Sequence, residues 1–80
     1  MKLPRNVSGQ ELIKRLKKLG YQPTRQTGSH IRMTTQEKGT HRLTIPDHNP
    51  IKVGTLSSIL KDVGEHFQIT REELLEKIFS

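Results

Sequence analysis

The 80-residue chain contains no cysteine and no tryptophan, and its aromatic residues are one tyrosine and two phenylalanines. Without cysteine it can form neither a disulfide nor a thiolate metal site, so a hydrophobic core must hold the fold alone. The few aromatic residues are expected in the core, which leaves little support for stacking on single-stranded bases. No apolar run is long enough for a membrane span or for the hydrophobic region of a signal peptide. We therefore expect one small cytosolic domain over residues 1–80.

Acidic residues are also scarce over most of the chain. Eight Asp and Glu stand against fourteen Lys and Arg, which gives a net charge of +6. The excess lies in residues 1–64, with twelve basic and four acidic residues, whereas residues 65–80 carry two basic and four acidic ones. A basic body favours an anionic partner, with nucleic acid as the leading candidate, although net positive charge also serves solubility alone.

Two capping-box patterns predict where helices begin. In the first, Glu11 follows Ser8 by three positions, so the hydroxyl and the carboxylate can each bond to the other residue's free backbone amide. The same spacing separates Thr70 from Glu73 near the C-terminus. Apolar residues at helical spacing follow each cap, and Gly20 is expected to end the first helix in a left-handed conformation.

The polar face of the first predicted helix is strongly basic. It carries four cations: Lys14, Arg15, Lys17 and Lys18. Cations in the last turns of a helix compensate its dipole, which is the simpler explanation. A cluster of this size also favours a surface for phosphate or for an acidic partner, and the sequence leaves both explanations open.

Three short strands are predicted after the first helix. The first covers residues 21–26, where Pro23 confines it to a sheet edge or a bulge. The second begins at Gly28 and the third covers residues 40–45, with the polar residues 36–39 as the hairpin loop between them. Alternation directs five residues inward: Ile31, Met33, Thr35, Leu43 and Ile45.

A further amphipathic helix is predicted after the strands, with Gly54 and Gly64 as its bounds. Its apolar stripe consists of Leu56, Ile59, Leu60 and Val63. The fold class is therefore α+β, an α-β-β-β-α core with an additional C-terminal helix. One face of the three-stranded antiparallel sheet is expected under the helices and the other in solvent.

Outward positions of the second strand carry His30 and Arg32, and Arg42 takes an outward position on the third strand. Histidine, with a free pKa of about 6.5, suits proton transfer near neutral pH, and neighbouring cations stabilise charge developing on a phosphate. Lys52, ahead of the later helix, is placed to reach a phosphate at that helix N-terminus. These residues favour cleavage of a phosphodiester, although a solvated polar strand face has the same composition.

The other three histidines have simpler explanations. His41 lies on the inward parity of its strand and is expected to pack at the end of the sheet. His48 and Asp47 can orient each other, but they lie among turn-forming residues and turn formation accounts for both. His66 has no partner at a useful spacing. No spacing of histidines or carboxylates matches a zinc site, so we expect no metal and no other cofactor.

Four short motifs, in this order and at these spacings, resemble the HicA toxins of bacterial HicAB toxin–antitoxin modules. They are Leu19-Gly20-Tyr21, Gly28-Ser29-His30, Thr44-Ile45-Pro46 and Val53-Gly54-Thr55-Leu56-Ser57-Ser58-Ile59-Leu60. The resemblance runs from about Ser8 to Phe79, and the order of elements is similar to that of double-stranded-RNA-binding domains. It implies a ribosome-independent endoribonuclease, an mRNA interferase of a type II toxin–antitoxin system, with His30 as general acid or base.

The resemblance also implies partners and a location. It implies mRNA as substrate and a HicB-like antitoxin that covers the His30 face and mediates any oligomer. It further implies the cytoplasm of a bacterium or archaeon, with no membrane partner and a role in the stress response. At the site, Gly28 would let the substrate backbone come close, and Ser29 would donate a hydrogen bond or fix the turn. Two alternatives remain: a non-catalytic double-stranded-RNA-binding module on the basic surface, and an adaptor for an acidic protein.

Overall fold

A helix, three strands and two further helices follow one another in the computed structural model, which describes residues 3–80. Residues 1 and 2 of the predicted domain lie outside that range. In chain order the elements are α1 (Gly9–Leu16), a 3₁₀ turn (Lys17–Leu19), β1 (Gln22–Thr27), β2 (His30–Thr35), β3 (His41–Pro46), α2 (Val53–Phe67) and α3 (Arg71–Phe79). This order confirms the predicted α+β class and is consistent with the fold of double-stranded-RNA-binding domains.

The three strands form one antiparallel sheet in the order β1-β2-β3. The prediction for Pro23 is confirmed, because β1 is an edge strand whose register with β2 shifts between Pro23 and Arg25. On the other side of β2, His30 lies opposite Pro46. The hairpin loop between β2 and β3 contains Gly39 at a φ of 97°, a positive value that glycine adopts without strain.

One face of the sheet packs against the helices and the other faces solvent. All five residues predicted to point inward are buried: Ile31, Met33, Thr35, Leu43 and Ile45. The helices cover them with a second set of buried side chains, among them Leu12, Leu16, Leu56, Leu60, Val63, Leu74, Leu75 and Ile78. Removal of these side chains from water is the main stabilising contribution to the fold. We call the exposed outward residues of β2 and β3 the open face: His30, Arg32, Arg42 and Thr44.

Both predicted helix caps are present, one of them complete. Thr70 Oγ1 accepts a hydrogen bond from the Glu73 amide, and the Glu73 carboxylate accepts one from the Thr70 amide at 2.9 Å. The bonds from the Thr70 backbone and side chain hold the pKa of Glu73 below its ordinary value. At α1, Ser8 Oγ accepts from the Glu11 amide at 3.0 Å. The Glu11 carboxylate instead contacts Arg15 Nη2 at 3.4 Å, one helical turn away.

The predicted bounds of α2 are wrong, because the helix includes both glycines that were expected to delimit it. Gly64 lies inside α2, where its carbonyl accepts a hydrogen bond from the Ile69 amide at 3.0 Å. A Cβ added at Gly64 would lie only 3.2 Å from the Ile69 carbonyl oxygen. The glycine therefore allows the chain to return closely past the helix, and Gln68, at a φ of 57°, ends α2 in the left-handed conformation.

Two of the four cations of α1 and the following 3₁₀ turn contact the C-terminal end of α3. Arg15 Nη1 and Lys18 Nζ each lie 3.4 Å from the Ile78 carbonyl oxygen, and Lys18 also donates to the Ser80 carbonyl at 3.1 Å. The Arg15 guanidinium lies over the Phe79 ring, 5.3 Å from its centroid. These contacts satisfy the free carbonyl groups of a neighbouring helix and compensate its dipole.

None of the helices in residues 3–80 combines the length and the apolar character of a membrane span.

Candidate active site on the open face

His30 is the first residue of β2 and follows a tight turn. Thr27, the last residue of β1, pairs with His30, so only Gly28 and Ser29 connect the two strands. Gly28 has a φ of 58°, which side-chain-bearing residues rarely adopt, and a Cβ there would meet nothing within 4 Å. Backbone conformation therefore accounts for the glycine, and the space in front of the turn is open.

The side chain of His30 is exposed and has no hydrogen-bond or ion-pair partner within residues 3–80. The turn beneath it is nevertheless anchored. The Ser29 carbonyl accepts a hydrogen bond of 2.7 Å from the Asp47 amide, which ties the β1–β2 turn to the loop after β3. An imidazole on a fixed backbone with both ring nitrogens free can exchange protons with a bound ligand.

A shallow depression of about 170 Å³ lies beside His30 on the open face. It is lined by Arg25, Thr27, His30, Arg32 and Thr44. The structure thus brings the predicted residue Arg32 together with His30, and it adds two residues of β1 that the sequence analysis missed. The turn length was the available signal, because a two-residue connection puts Thr27 opposite His30. The same count puts Arg25 opposite Arg32, since the register of β1 shifts only beyond Arg25, toward Pro23.

Arg42 lies on the predicted face but toward the other end of it. It pairs with Thr34, not with His30. Together with Arg32 it borders a separate depression of about 530 Å³, whose other wall is formed by α2 through Ser58, Ile59, Lys61, Asp62 and Glu65. That depression mixes cations and carboxylates, so it is less suited to a phosphate than the one beside His30.

A third depression, of about 360 Å³, lies on the other side of His30 and reaches the N-terminus of α2. Its lining residues are His30, Thr44, Pro46, His48, Ile51, Lys52 and Thr55. Lys52 immediately precedes α2, and no side chain in the described range caps the first turn of that helix. Lys52 and the α2 N-terminus therefore lie along the same depression as His30. Thr44 lines all three depressions, so they adjoin one another along the open face.

The remaining histidines lie in a cluster at the far end of the sheet. As predicted, His41 packs there: its Nδ1 lies 2.7 Å from the Tyr21 hydroxyl and its Nε2 3.2 Å from Asp62 Oδ1. Burial, and then the charge of Asp62, raise the pKa of Tyr21 above its usual range. The prediction that His66 lacks a partner is wrong. Its ring stacks on His41 at 4.4 Å and its Nε2 donates to the Glu37 carbonyl at 2.9 Å, because the hairpin loop folds over the end of α2.

No group of three or more His, Asp or Glu side chains among residues 3–80 is arranged to hold a metal ion. The elements and the open face together define a small α+β protein with the order of elements of double-stranded-RNA-binding domains and an exposed histidine on its sheet.

The comparison with family models identifies the family. The model for the HicA toxin of bacterial toxin–antitoxin systems matches residues 9–65, more than half of the chain. The chain belongs to the HicA toxin family, and its role is that of a toxin in a toxin–antitoxin system. Searches among curated proteins and among solved structures gave no significant match. The matched segment contains the whole sheet with His30, whereas α3 lies outside it.

Proposed function

We propose that the chain is a ribosome-independent endoribonuclease, an mRNA interferase, in which His30 acts as general acid or base. The observation that supports this most is the setting of His30. Its imidazole is exposed, has no internal partner within residues 3–80, and shares a depression with Arg25 and Arg32.

The chemistry follows from these residue types. Attack of a ribose 2′-hydroxyl on the adjacent phosphorus requires removal of one proton and delivery of another to the leaving oxygen. His30 serves one of these transfers, a contribution of about 10²–10⁴ in rate. The guanidinium groups of Arg25 and Arg32 donate hydrogen bonds to the phosphate oxygens as negative charge develops on them. Thr27 and Thr44 offer hydroxyl groups at the same depression.

We further propose that a HicB-like antitoxin silences the toxin by covering the open face. Arg32 and Arg42 make this face basic, and Arg25 of β1 adds a third cation beside it. An acidic partner would therefore bind quickly and in one orientation. Any oligomer would then form through the antitoxin. NMR titration with a HicB-like antitoxin tests the proposal: we expect shift changes on β2 and β3, and changes confined to the helices would contradict it.

The test of the nuclease proposal is direct cleavage. The purified chain and the His30→Ala variant are incubated with RNA in excess chelator. Lys17→Gln, in the 3₁₀ turn after α1, serves as a control with one exposed cation removed outside the site. We expect cleavage by the wild type and by Lys17→Gln, and a loss of about 10²-fold or more in His30→Ala. An intact RNA with the wild type, or an equal rate with His30→Ala, would exclude the catalytic assignment. RNA without a 2′-hydroxyl at the cut should resist cleavage.

The order of the secondary-structure elements supports a second candidate function, a non-catalytic double-stranded-RNA-binding module that uses the basic surface. It predicts RNA binding that survives His30→Ala, with no cleavage by either form. The adaptor hypothesis predicts neither RNA affinity nor a steep salt dependence. The same cleavage and binding measurements therefore separate the three hypotheses.

A further inference from the structure

We propose that His48 is the second proton-transfer group of the site, so that two imidazoles, His30 and His48, act on one substrate phosphate. The inference rests on the proposed endoribonuclease function, which leaves the partner of His30 unassigned.

The two histidines border the same depression, although they are far apart in the chain. The pairing of β2 with β3 puts Pro46 opposite His30, and the chain reaches His48 two residues later. The residues that precede the two histidines are hydrogen-bonded to each other, from the Asp47 amide to the Ser29 carbonyl at 2.7 Å. Both histidines line the depression of about 360 Å³.

The backbone that carries His48 is held on both sides by the start of α1. The His48 carbonyl accepts a hydrogen bond from the Gly9 amide at 2.9 Å, and the Ile51 amide donates to the Val7 carbonyl at 2.8 Å. The approach is so close that a Cβ on Gly9 would overlap the Pro46 carbonyl oxygen. A fixed backbone under an exposed side chain is the arrangement that holds a catalytic group ready for its substrate.

Only two of the four histidines have both ring nitrogens free of hydrogen bonds among residues 3–80. His41 uses both nitrogens, on Tyr21 and Asp62, and His66 donates its Nε2–H to the Glu37 carbonyl. No hydrogen bond, ion pair or ring contact within the described chain engages the imidazole of His30 or of His48. The two unengaged imidazoles are thus the two that share a depression.

The depression also offers groups that can hold a phosphate between the imidazoles. Lys52 is the one permanently charged residue among those described that line it, and Thr55 adds a hydroxyl. Both lie at the N-terminus of α2, a helix of 15 residues whose first-turn amides lack a side-chain cap in the described structure. Backbone amides and a cation at that position favour an oxyanion.

The pair completes a balanced reaction. One imidazole, neutral, takes the proton of the 2′-hydroxyl while the O2′–P bond forms. The other, as imidazolium, gives a proton to O5′ while the P–O5′ bond breaks. The products are a 2′,3′-cyclic phosphate and a 5′-hydroxyl, and the two imidazoles have exchanged protonation states. No electron transfer and no further reactant are required.

The experiment compares wild type, His30→Ala, His48→Gln and His48→Ala, with His66→Gln as a matched histidine substitution outside the site. Single-turnover cleavage of a short RNA is measured between pH 4.5 and 9, with thermal unfolding of each variant. We expect a bell-shaped rate profile for wild type and for His66→Gln. Both His48 variants should cleave about 10²–10⁴-fold more slowly, and their pH profiles should lack one limb of the bell. Their affinity for RNA that lacks the reactive 2′-hydroxyl should stay within about threefold of wild type.

A substrate with a bridging 5′-sulfur separates the two roles, because a thiolate leaves without being protonated. If His30 or His48 is the general acid, we expect this substrate to restore the cleavage rate of the variant that lacks that histidine. The variant that lacks the general base should remain slow. If wild type cuts RNA and the folded His48 variants cut it equally fast with both limbs retained, the role of His48 is excluded while the nuclease proposal stands. If wild type leaves RNA intact, the nuclease proposal itself fails.

Discussion

Arg25 lies directly opposite Arg32 in the register of β1 and β2. Like charges at opposite positions of an antiparallel pair repel each other and lower the stability of the sheet. Both arginines border the depression beside His30, and a phosphate bound there would offset the repulsion through hydrogen bonds to both guanidinium groups. The pair therefore fits a sheet face that binds an anion better than one that is only structural.

The substitution Arg25→Thr separates these two effects. Removal of the repulsion should raise the free energy of unfolding by about 0.2–1 kcal/mol. Loss of one phosphate contact should weaken RNA binding and reduce the slope of log K against log salt by about one. Chemical denaturation and binding at several salt concentrations measure the two quantities. Lys17→Gln in the 3₁₀ turn after α1 is the control, and an equal loss of RNA affinity in both variants would contradict a specific role for Arg25.

The close contact of Gly9 with the loop after β3 leads to a prediction on stability. A Cβ at this position would overlap the Pro46 carbonyl oxygen and lie 3.0 Å from the Asp47 Cα atom. Gly9→Ala must therefore displace backbone, and we expect it to lower the free energy of unfolding by about 1–3 kcal/mol.

Gly54→Ala is the matched control for Gly9→Ala, since a Cβ at Gly54 would meet nothing within 4 Å. In α2 this change should stabilise the fold by about 0.5–1 kcal/mol. Thermal or denaturant unfolding of both variants checks the pair. A Gly9→Ala variant as stable as wild type would show that α1 does not press on the loop that carries His48.

What could be predicted from the sequence is local in origin. Alternation placed Ile31 and Met33 in the core and His30 in solvent because side chains on a strand have a period of two. The capping boxes at Ser8 and Thr70 depend on residues three positions apart, so the starts of α1 and α3 were predictable.

What could not be predicted depends on contacts between distant segments. His66 stacks on His41 because α2 packs beside the start of β3. Glycine is a common residue at helix ends, yet Gly64 lies inside α2. The chain passes close to it at Ile69, a contact that the local sequence does not indicate. Periodicity does not encode such relations.

The capping box of α3 should make stability depend on pH. Hydrogen bonds from the Thr70 backbone and side chain lower the pKa of Glu73 from its ordinary 4.5. A carboxylate whose pKa is lowered by folding stabilises the fold above the unfolded value, and that stabilisation is lost as the pH falls through the folded value. Glu73→Gln should therefore be less stable than wild type at pH 7, with the difference shrinking below about pH 4.5.

Glu76→Gln, on the same helix but away from the cap, is the control for Glu73→Gln. Denaturant unfolding at pH 7, 5 and 3 measures the difference in each case. A Glu73→Gln deficit that stays constant from pH 7 to pH 3 would mean that the amide group, and not the lost charge, is responsible.

The single tyrosine of the chain permits a direct optical test of the histidine cluster. Burial, and secondly the charge of Asp62, raise the pKa of Tyr21 above its ordinary value of 10.0. The neutral phenol therefore contributes stability that is complete below pH 10 and is lost as the pH rises toward the folded value. Absorbance of tyrosinate should be absent from the folded chain at about pH 10.5 and should develop near pH 10 in denaturant. Asp62→Asn should lower the folded midpoint, and a native midpoint near 10 would refute the buried Tyr21–His41 contact.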